Sequence, residues 1–170
     1  MYSLLFLKAE VSAKKVNFKP IKPIFKLLDR GRKALAQKKK KKKSRKVLKK
    51  TAWDLLSKII RLKYADSNGY CSCVSCGITK HWSEMQAGHF IPKAKGNVVY
   101  FLEENIHPQC VHCNMYQDGN LTPYTLFMID TYGRDEVERL QNLVHEKLKI
   151  TEADYNDMIV EYKERLKDLL

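Results

Sequence analysis

Apolar positions keep a helical rhythm in four stretches of this chain and lose it elsewhere. Behind Thr51-Ala52-Trp53-Asp54, the residues Leu55, Leu56, Ile59, Ile60 and Leu62 recur at near-helical intervals. The leading tetrapeptide fits a capping box, with Thr51 serving the amide of Asp54, and Ser67-Asn68-Gly69 is expected to stop the helix. Thr122-Pro123 reads as an N-cap followed by proline at the first helical position, in a helix that Gly133 ends. Val137, Leu140 and Val144 mark a third helix. Thr151-Glu152-Ala153-Asp154 caps a fourth, striped by Tyr155, Met158, Ile159, Tyr162, Leu166 and Leu169. These stripes read as core or dimer surface.

Residues 70–121 are of another kind. They carry all five cysteines, four of the five histidines and the Gly, Pro and Asn punctuation of loops and short strands. Val98-Val99-Tyr100-Phe101 reads as a strand among them. Residues 1–50 show little periodicity, and Phe18-Lys19-Pro20-Ile21-Lys22-Pro23 looks extended because each proline disfavours helix in the residue before it. The chain therefore divides into a basic arm over 1–50, a helix plus cysteine-rich core over 51–121 and a helical region over 122–170. The fold class is α+β.

Charge sharpens this division. The 170 residues carry a net charge of +13, yet 1–50 alone hold 19 Lys/Arg against Glu10 and Asp29, while 51–170 are slightly acidic. Lys38 to Lys43 is an unbroken lysine run. Such a block repels itself, so it reads as a solvated arm that orders on binding phosphates, with a plain solubilising tail as the alternative. A charge this asymmetric points to nucleic acid as partner. No apolar run is long enough for a membrane span, and Leu4-Leu5-Phe6-Leu7 is too short for a signal-peptide core, so a cytoplasmic location is expected.

Cys73-Val74-Ser75-Cys76 and Cys110-Val111-His112-Cys113 form two Cys-x-x-Cys pairs separated by 33 residues. Each pair can present two thiolates from one tight turn, and two such knuckles complete a tetrahedral Zn²⁺ site. The absence of a secretion signal and the odd cysteine count disfavour a disulfide framework. Four thiolates leave no open position for water, so this zinc is expected to be structural. Cys71 is left as a spare thiol.

Between the knuckles stand Gln86-Ala87-Gly88-His89-Phe90 and then Glu104-Asn105-Ile106-His107, with Asn114 directly after Cys113 and Gly119-Asn120 shortly beyond. By order and spacing this resembles the HNH (ββα-metal) endonucleases, and more closely the phage NinG/Rap family of recombination endonucleases. The resemblance runs from about Thr51 to the C-terminus and includes Tyr132-Gly133-Arg134. It implies a small zinc-stabilised ββα-metal core and cleavage of branched DNA such as Holliday junctions. It also implies His89 as general base, Asn105 fixing the imidazole or the hairpin loop, and Asn114 as ligand to a catalytic Mg²⁺ or Mn²⁺. Many HNH enzymes carry Asp or His before the base as a second metal ligand; here that residue is Gly88, and Asp118, Asn120 and Gln86 are the candidates to replace it.

A zinc-stabilised DNA-binding adaptor without catalysis explains the charge and the cysteines as well, but not His89 together with Asn105 and Asn114. An HNH nicking enzyme on linear duplex is a third reading. His81 and His145 read as surface, and His107 and His112 flank a zinc shell that the cysteines already complete. Symmetric resolution of a junction needs two active sites, so a homodimer is expected.

Overall fold

A computed structural model describes residues 44–170, all within the unit Gln37–Leu170. The first helix, α1 (Arg45–Lys63), starts six residues before Thr51. Its N-cap is Ser44, whose hydroxyl accepts the Val47 amide. The capping box at Thr51 does not form: Thr51 lies inside the helix and donates to the Val47 carbonyl at 2.9 Å, and Asp54 pairs with Lys50 at 2.6 Å. The reason is packing. The earlier start brings Leu48 onto the stripe of Ala52, Leu56, Ile59 and Ile60, all buried, so Arg45–Lys50 of the basic stretch are helical. The lysine run Lys38 to Lys43 and the proline-containing segment lie outside the described residues.

α1 ends at Tyr64, ahead of the expected stop. Ser67-Asn68-Gly69 instead turns the chain into a strand, with the Asp66 carboxylate accepting the amides of Asn68 and Tyr70. Strand β1 (Tyr70–Ser72) pairs antiparallel with β2 (Thr79–His81), and the first knuckle is the turn between them. A second hairpin joins β3 (Gln86–His89) to β4 (Ile106–Gln109), with Gln86 opposite Gln109 and His89 opposite Ile106. Its connection contains the single-turn helix α2 (Asn97–Tyr100). The strand expected over Val98–Phe101 is thus helical. Burial of Val99 and Phe101 decides this, and it overrides the β-preference of a Val-Val pair.

Three helices complete the chain: α3 (Leu121–Tyr132), α4 (Arg134–Asn142) and α5 (Glu152–Lys167). Asn120, in left-handed conformation at φ 44°, is the N-cap of α3, so Pro123 falls within the first turn rather than at its first position. Gly133 ends α3 at φ 85°, as its place in the sequence indicates. The Thr151–Asp154 capping box of α5 forms in both directions. From α5, Tyr155, Ile159, Tyr162 and Leu166 are buried against α1, Met158 is partly buried and Leu169 is exposed.

The β3–β4 hairpin lies between two packed layers. Strand alternation turns Ala87, His89 and Ile106 toward α1 and α5, and Gln86, Gly88, His107 and Gln109 toward the opposite side, where α3 lies. A bidentate Arg165–Glu103 pair ties α5 to the turn before β4, and Lys63 at the end of α1 joins it at 3.7 Å. The architecture is α+β, built of helices and two small antiparallel sheets. Among the described residues, no helix is long and apolar enough to cross a membrane.

Candidate functional site

The two Cys-x-x-Cys turns meet. The sulfurs of Cys73, Cys76, Cys110 and Cys113 all lie within 4.8 Å of one another. Cys76 Sγ and Cys110 Sγ are 3.8 Å apart, the edge of a tetrahedron whose Zn–S bonds are about 2.3 Å. The donor set and spacing are those of a structural zinc site. Backbone and side-chain donors surround the sulfurs: the Cys113 amide points at Cys110 Sγ and the Asn120 amide at Cys113 Sγ. Such outer contacts orient thiolates and spread their charge. Cys71 is buried beside this cluster, in β1, and is not part of the four-sulfur group.

His89 ends β3. Its ring stacks on Trp53 of α1 with centroids 4.7 Å apart and planes 22° apart, and the Tyr100 ring meets it edge-on at 5.6 Å. Its Nε2 lies 3.0 Å from the Tyr100 carbonyl. A carbonyl can only accept, so Nε2 carries the proton of the neutral ring and Nδ1 is the basic atom. Burial lowers the pKa to about 4; the Tyr100 carbonyl opposes that shift and the Lys93 charge adds to it. The imidazole is therefore neutral at pH 7.

Asn105 is fully buried one residue before β4. Its side chain accepts the Ile91 amide at 2.7 Å and donates to the carbonyls of Ile91 and Val99 at 2.9 and 3.0 Å. It locks the strand end carrying His89 to the α2 connection; of the two tasks expected of it, these bonds serve the loop.

Asn114 sits in a π-helical turn, His112–Tyr116, that the second knuckle starts. Its Nδ2 donates to Gln86 Oε1 at 2.6 Å. Asn114 therefore engages the start of β3 while His89 lies at its end and on the other face. Of the three candidates for a second metal ligand, Gln86 is the one the structure brings to Asn114. Asn120 is engaged with Cys113 Sγ, and Asp118 is exposed at φ 46°.

Gly88 has a steric reason. A Cβ there would stand 1.9 Å from Gln109 Oε1. The fully buried Gln109 amide fills that space, donating at 2.6 Å to both Ser75 Oγ and the Gly119 carbonyl, while its Oε1 has no hydrogen-bond partner. Sequence reading missed Gln109, Trp53 and Tyr100, because their partners are distant in the chain and no spacing rule connects them.

The other histidines are placed simply. His81 is on β2 with Nδ1 at 2.7 Å from Ser83 Oγ, His112 and His145 are exposed, and His107 is buried against α3.

These features define a mixed α+β protein in which four cysteines are positioned to hold a metal ion. The chain belongs to the NinG family: the family model described as "Bacteriophage Lambda NinG protein" matches residues 8–170. It is similar to protein ninG of Escherichia phage lambda and of Salmonella phage P22, each 36% identical over 97 residues, covering 57% of this chain and 47% of the relative. Protein ninG of Escherichia phage 933W is 35% identical over the same length. The chain thus matches these curated relatives over about half of their length. No solved structure matches it.

Proposed function

We propose that this protein is a metal-dependent endonuclease for branched DNA, such as Holliday junctions in phage recombination, acting in the host cytoplasm and as a homodimer. The observation that carries this reading is His89: a neutral imidazole at a strand end, held through Nε2 by the Tyr100 carbonyl with Nδ1 left basic, in a hairpin braced by a four-thiolate knuckle. In the HNH-like reading, Nδ1 takes a proton from the attacking water. The new P–O bond forms as the bond to the 3′ oxygen breaks, leaving a 5′-phosphate and a 3′-hydroxyl. Base catalysis of this kind contributes typically about 10²–10⁴-fold. Asn105 keeps the ring's strand end in register, and the zinc knuckle fixes the hairpin.

Asn114, with Gln86 beside it, would hold a divalent Mg²⁺ or Mn²⁺ ion. Neutral amide oxygens suit a cation that keeps several waters and completes its shell with substrate phosphate. When bound, the ion would stabilise charge on the leaving oxygen.

Two observations favour a second reading, a zinc-stabilised DNA-binding adaptor without catalysis. No carboxylate bonds to Asn114 or Gln86 among the described residues, and Asn114 and His89 lie at opposite ends of β3. The experiment that separates the readings is incubation of purified full-length protein with Mg²⁺ and matched four-way, Y-shaped and linear duplex DNA, with His89→Ala alongside. Cleavage of branched substrates that falls at least a hundredfold in the variant, with zinc content unchanged, is the expected result. Binding with no cleavage by wild type would leave the adaptor, and equal cleavage of linear duplex would make the protein a nicking enzyme.

A further inference from the structure

We infer that Arg45 and Lys49 of α1, with Lys93 after β3, form a binding site for the phosphodiester backbone of a DNA strand beside His89. The inference shares with the nuclease reading the position of His89 and DNA as the partner; the binding itself needs no catalysis.

Arg45, Lys49 and Trp53 follow one another at four-residue intervals, so they lie on a single stripe of α1. The stacked Trp53–His89 pair fixes where that stripe points. Lys49 confirms the direction, because its Nζ stands 3.9 Å over the ring of Tyr100, the residue whose carbonyl holds the His89 imidazole. Lys93 adds a third cation near the same place. It lies four residues beyond His89 in the 3₁₀ turn Lys93–Lys95, and its charge is felt at both Lys49 and His89. Burial and the charges of Arg45 and Lys93 together lower the Lys49 pKa.

None of the three cations has an ion pair among the described residues, and the carboxylate on the adjacent face of α1, Asp54, is taken by Lys50. Like charges at this spacing weaken a helix slightly, so the fold holds together positive charge that it does not itself neutralise. A polyanion supplies what is missing. The chemistry is that of backbone recognition: a guanidinium and two ammonium groups donate to phosphate oxygens without reading bases. Tyr100 under Lys49 and the Trp53–His89 stack keep that cation beside the imidazole, and Arg45 lies one turn before Lys49 on the same stripe. In sequence, the lysine run Lys38 to Lys43 ends immediately before Ser44, the N-cap of α1, so positive charge continues along the chain into this stripe.

The test uses the full-length chain and a fluorescent linear duplex, titrated without added Mg²⁺ at several salt concentrations. Arg45→Gln, Lys49→Gln and Lys93→Gln are made singly and together. A control triple, Lys147→Gln, Lys149→Gln and Lys163→Gln, removes the same charge from exposed positions. Zinc content and melting temperature establish that each variant is folded. Each lost phosphate contact should reduce the slope of log K against log[salt] by about one. The site triple should therefore flatten the slope by two to three (about one per contact), whereas the control should leave it within experimental error. A slope equal to wild type in the site triple, or an equal drop in the control, overturns the site. A matched RNA duplex bound more tightly than DNA, with the loss confined to RNA, overturns the choice of partner. Because binding is read without cleavage, the site can stand if no DNA is ever cut, and cleavage that survives in a triple with an unchanged slope removes the site alone.

Discussion

His107 gives its Nδ1 proton to the Tyr124 hydroxyl across 2.9 Å. The direction follows from the next bond, since Tyr124 donates its own proton to the Gly88 carbonyl at 3.0 Å. His107 Nε2 then accepts from Tyr132 at 2.8 Å. A fully buried strand residue is thereby tied to α3 at both ends of its ring, and the backbone immediately before His89 hangs from the same chain of bonds.

Tyr124→Phe keeps the ring and removes the link. It leaves the buried His107 Nδ1 proton without an acceptor and removes one of two donors from the Gly88 carbonyl, which keeps its ladder partner His107, at a cost of about 1–3 kcal/mol. Urea denaturation at pH 7 should show that loss. A change below about 0.5 kcal/mol, the usual effect of a surface substitution, would mean that the relay contributes nothing to holding the hairpin.

Gly88→Ala tests the contact with Gln109. The added methyl meets the amide oxygen at a distance that real atoms do not reach, and Gln109 is held by Ser75 and Gly119. Overpacking should cost about 1–3 kcal/mol or more. Adding Gln109→Ala opens the space, so the double variant should be more stable than the sum of the two singles predicts. Strict additivity in that cycle would show the two residues to be independent.

Local chemistry was the part of this fold legible in the sequence. The Thr151–Asp154 box, the Gly133 stop and the two knuckles each depend on residues a few positions apart, and each stands where its motif lies. Thr51-Ala52-Trp53-Asp54 has the letters of a cap and lies mid-helix, because Leu48 had core to fill one turn earlier. Val98–Phe101 has strand residues, yet neither β3 nor β4 pairs with it. The surroundings of the predicted site residues were not legible at all. Trp53 and His89 are 36 positions apart, His107 reads as a neighbour of zinc until α3 is folded against it, and Gly88 looks like a missing ligand until Gln109 is seen in its place.

Loss of one zinc ligand should be felt by the whole core. Wild-type protein should contain about one zinc per chain. Cys73→Ser or Cys113→Ser should lose it, because structural zinc contributes folding free energy directly, about 10–16 kcal/mol in small peptides. Cys71→Ser should keep the metal, since Cys71 is outside the four-sulfur group. Elemental analysis decides both, and full zinc in the Cys73 variant would refute the four-thiolate site.

Two depressed histidines give the fold an acid limb. Burial lowers the pKa of His89 to about 4 and of His107 to about 3, with Lys63 adding to the second shift. Both folded values lie below the ordinary 6.5, so as pH falls the unfolded chain takes up protons before the native chain does. Their contribution is complete above about pH 6.5 and is lost progressively toward pH 4, by up to about 1.4 kcal/mol per pH unit for each ring. Urea denaturation at half-unit steps from pH 7.5 to 5 should give that slope, and His89→Ala should remove the share of one ring. A slope unchanged in that variant would show that His89 titrates normally in the folded protein.

Trp53 is the group whose removal should alter His89 most directly. The indole covers one face of the imidazole at 4.7 Å, and burial is the largest cause of the depressed pKa. Trp53→Ala admits water to that face while leaving the Tyr100 carbonyl on Nε2, a bond that already favours the charged ring. Both influences then act upward, against the smaller repulsion from Lys93. The pKa of His89, followed by its ring resonances in an NMR titration, should rise from about 4 toward 6.5. Trp53→Phe retains a stacked face and should fall between. If His89 is the general base, the acid limb of kcat/KM must move by the same amount, because that profile reports the base in the free enzyme. A shift in the titration without a shift in the rate profile would leave Trp53 as the cover of His89 and take the catalytic proton away from that ring.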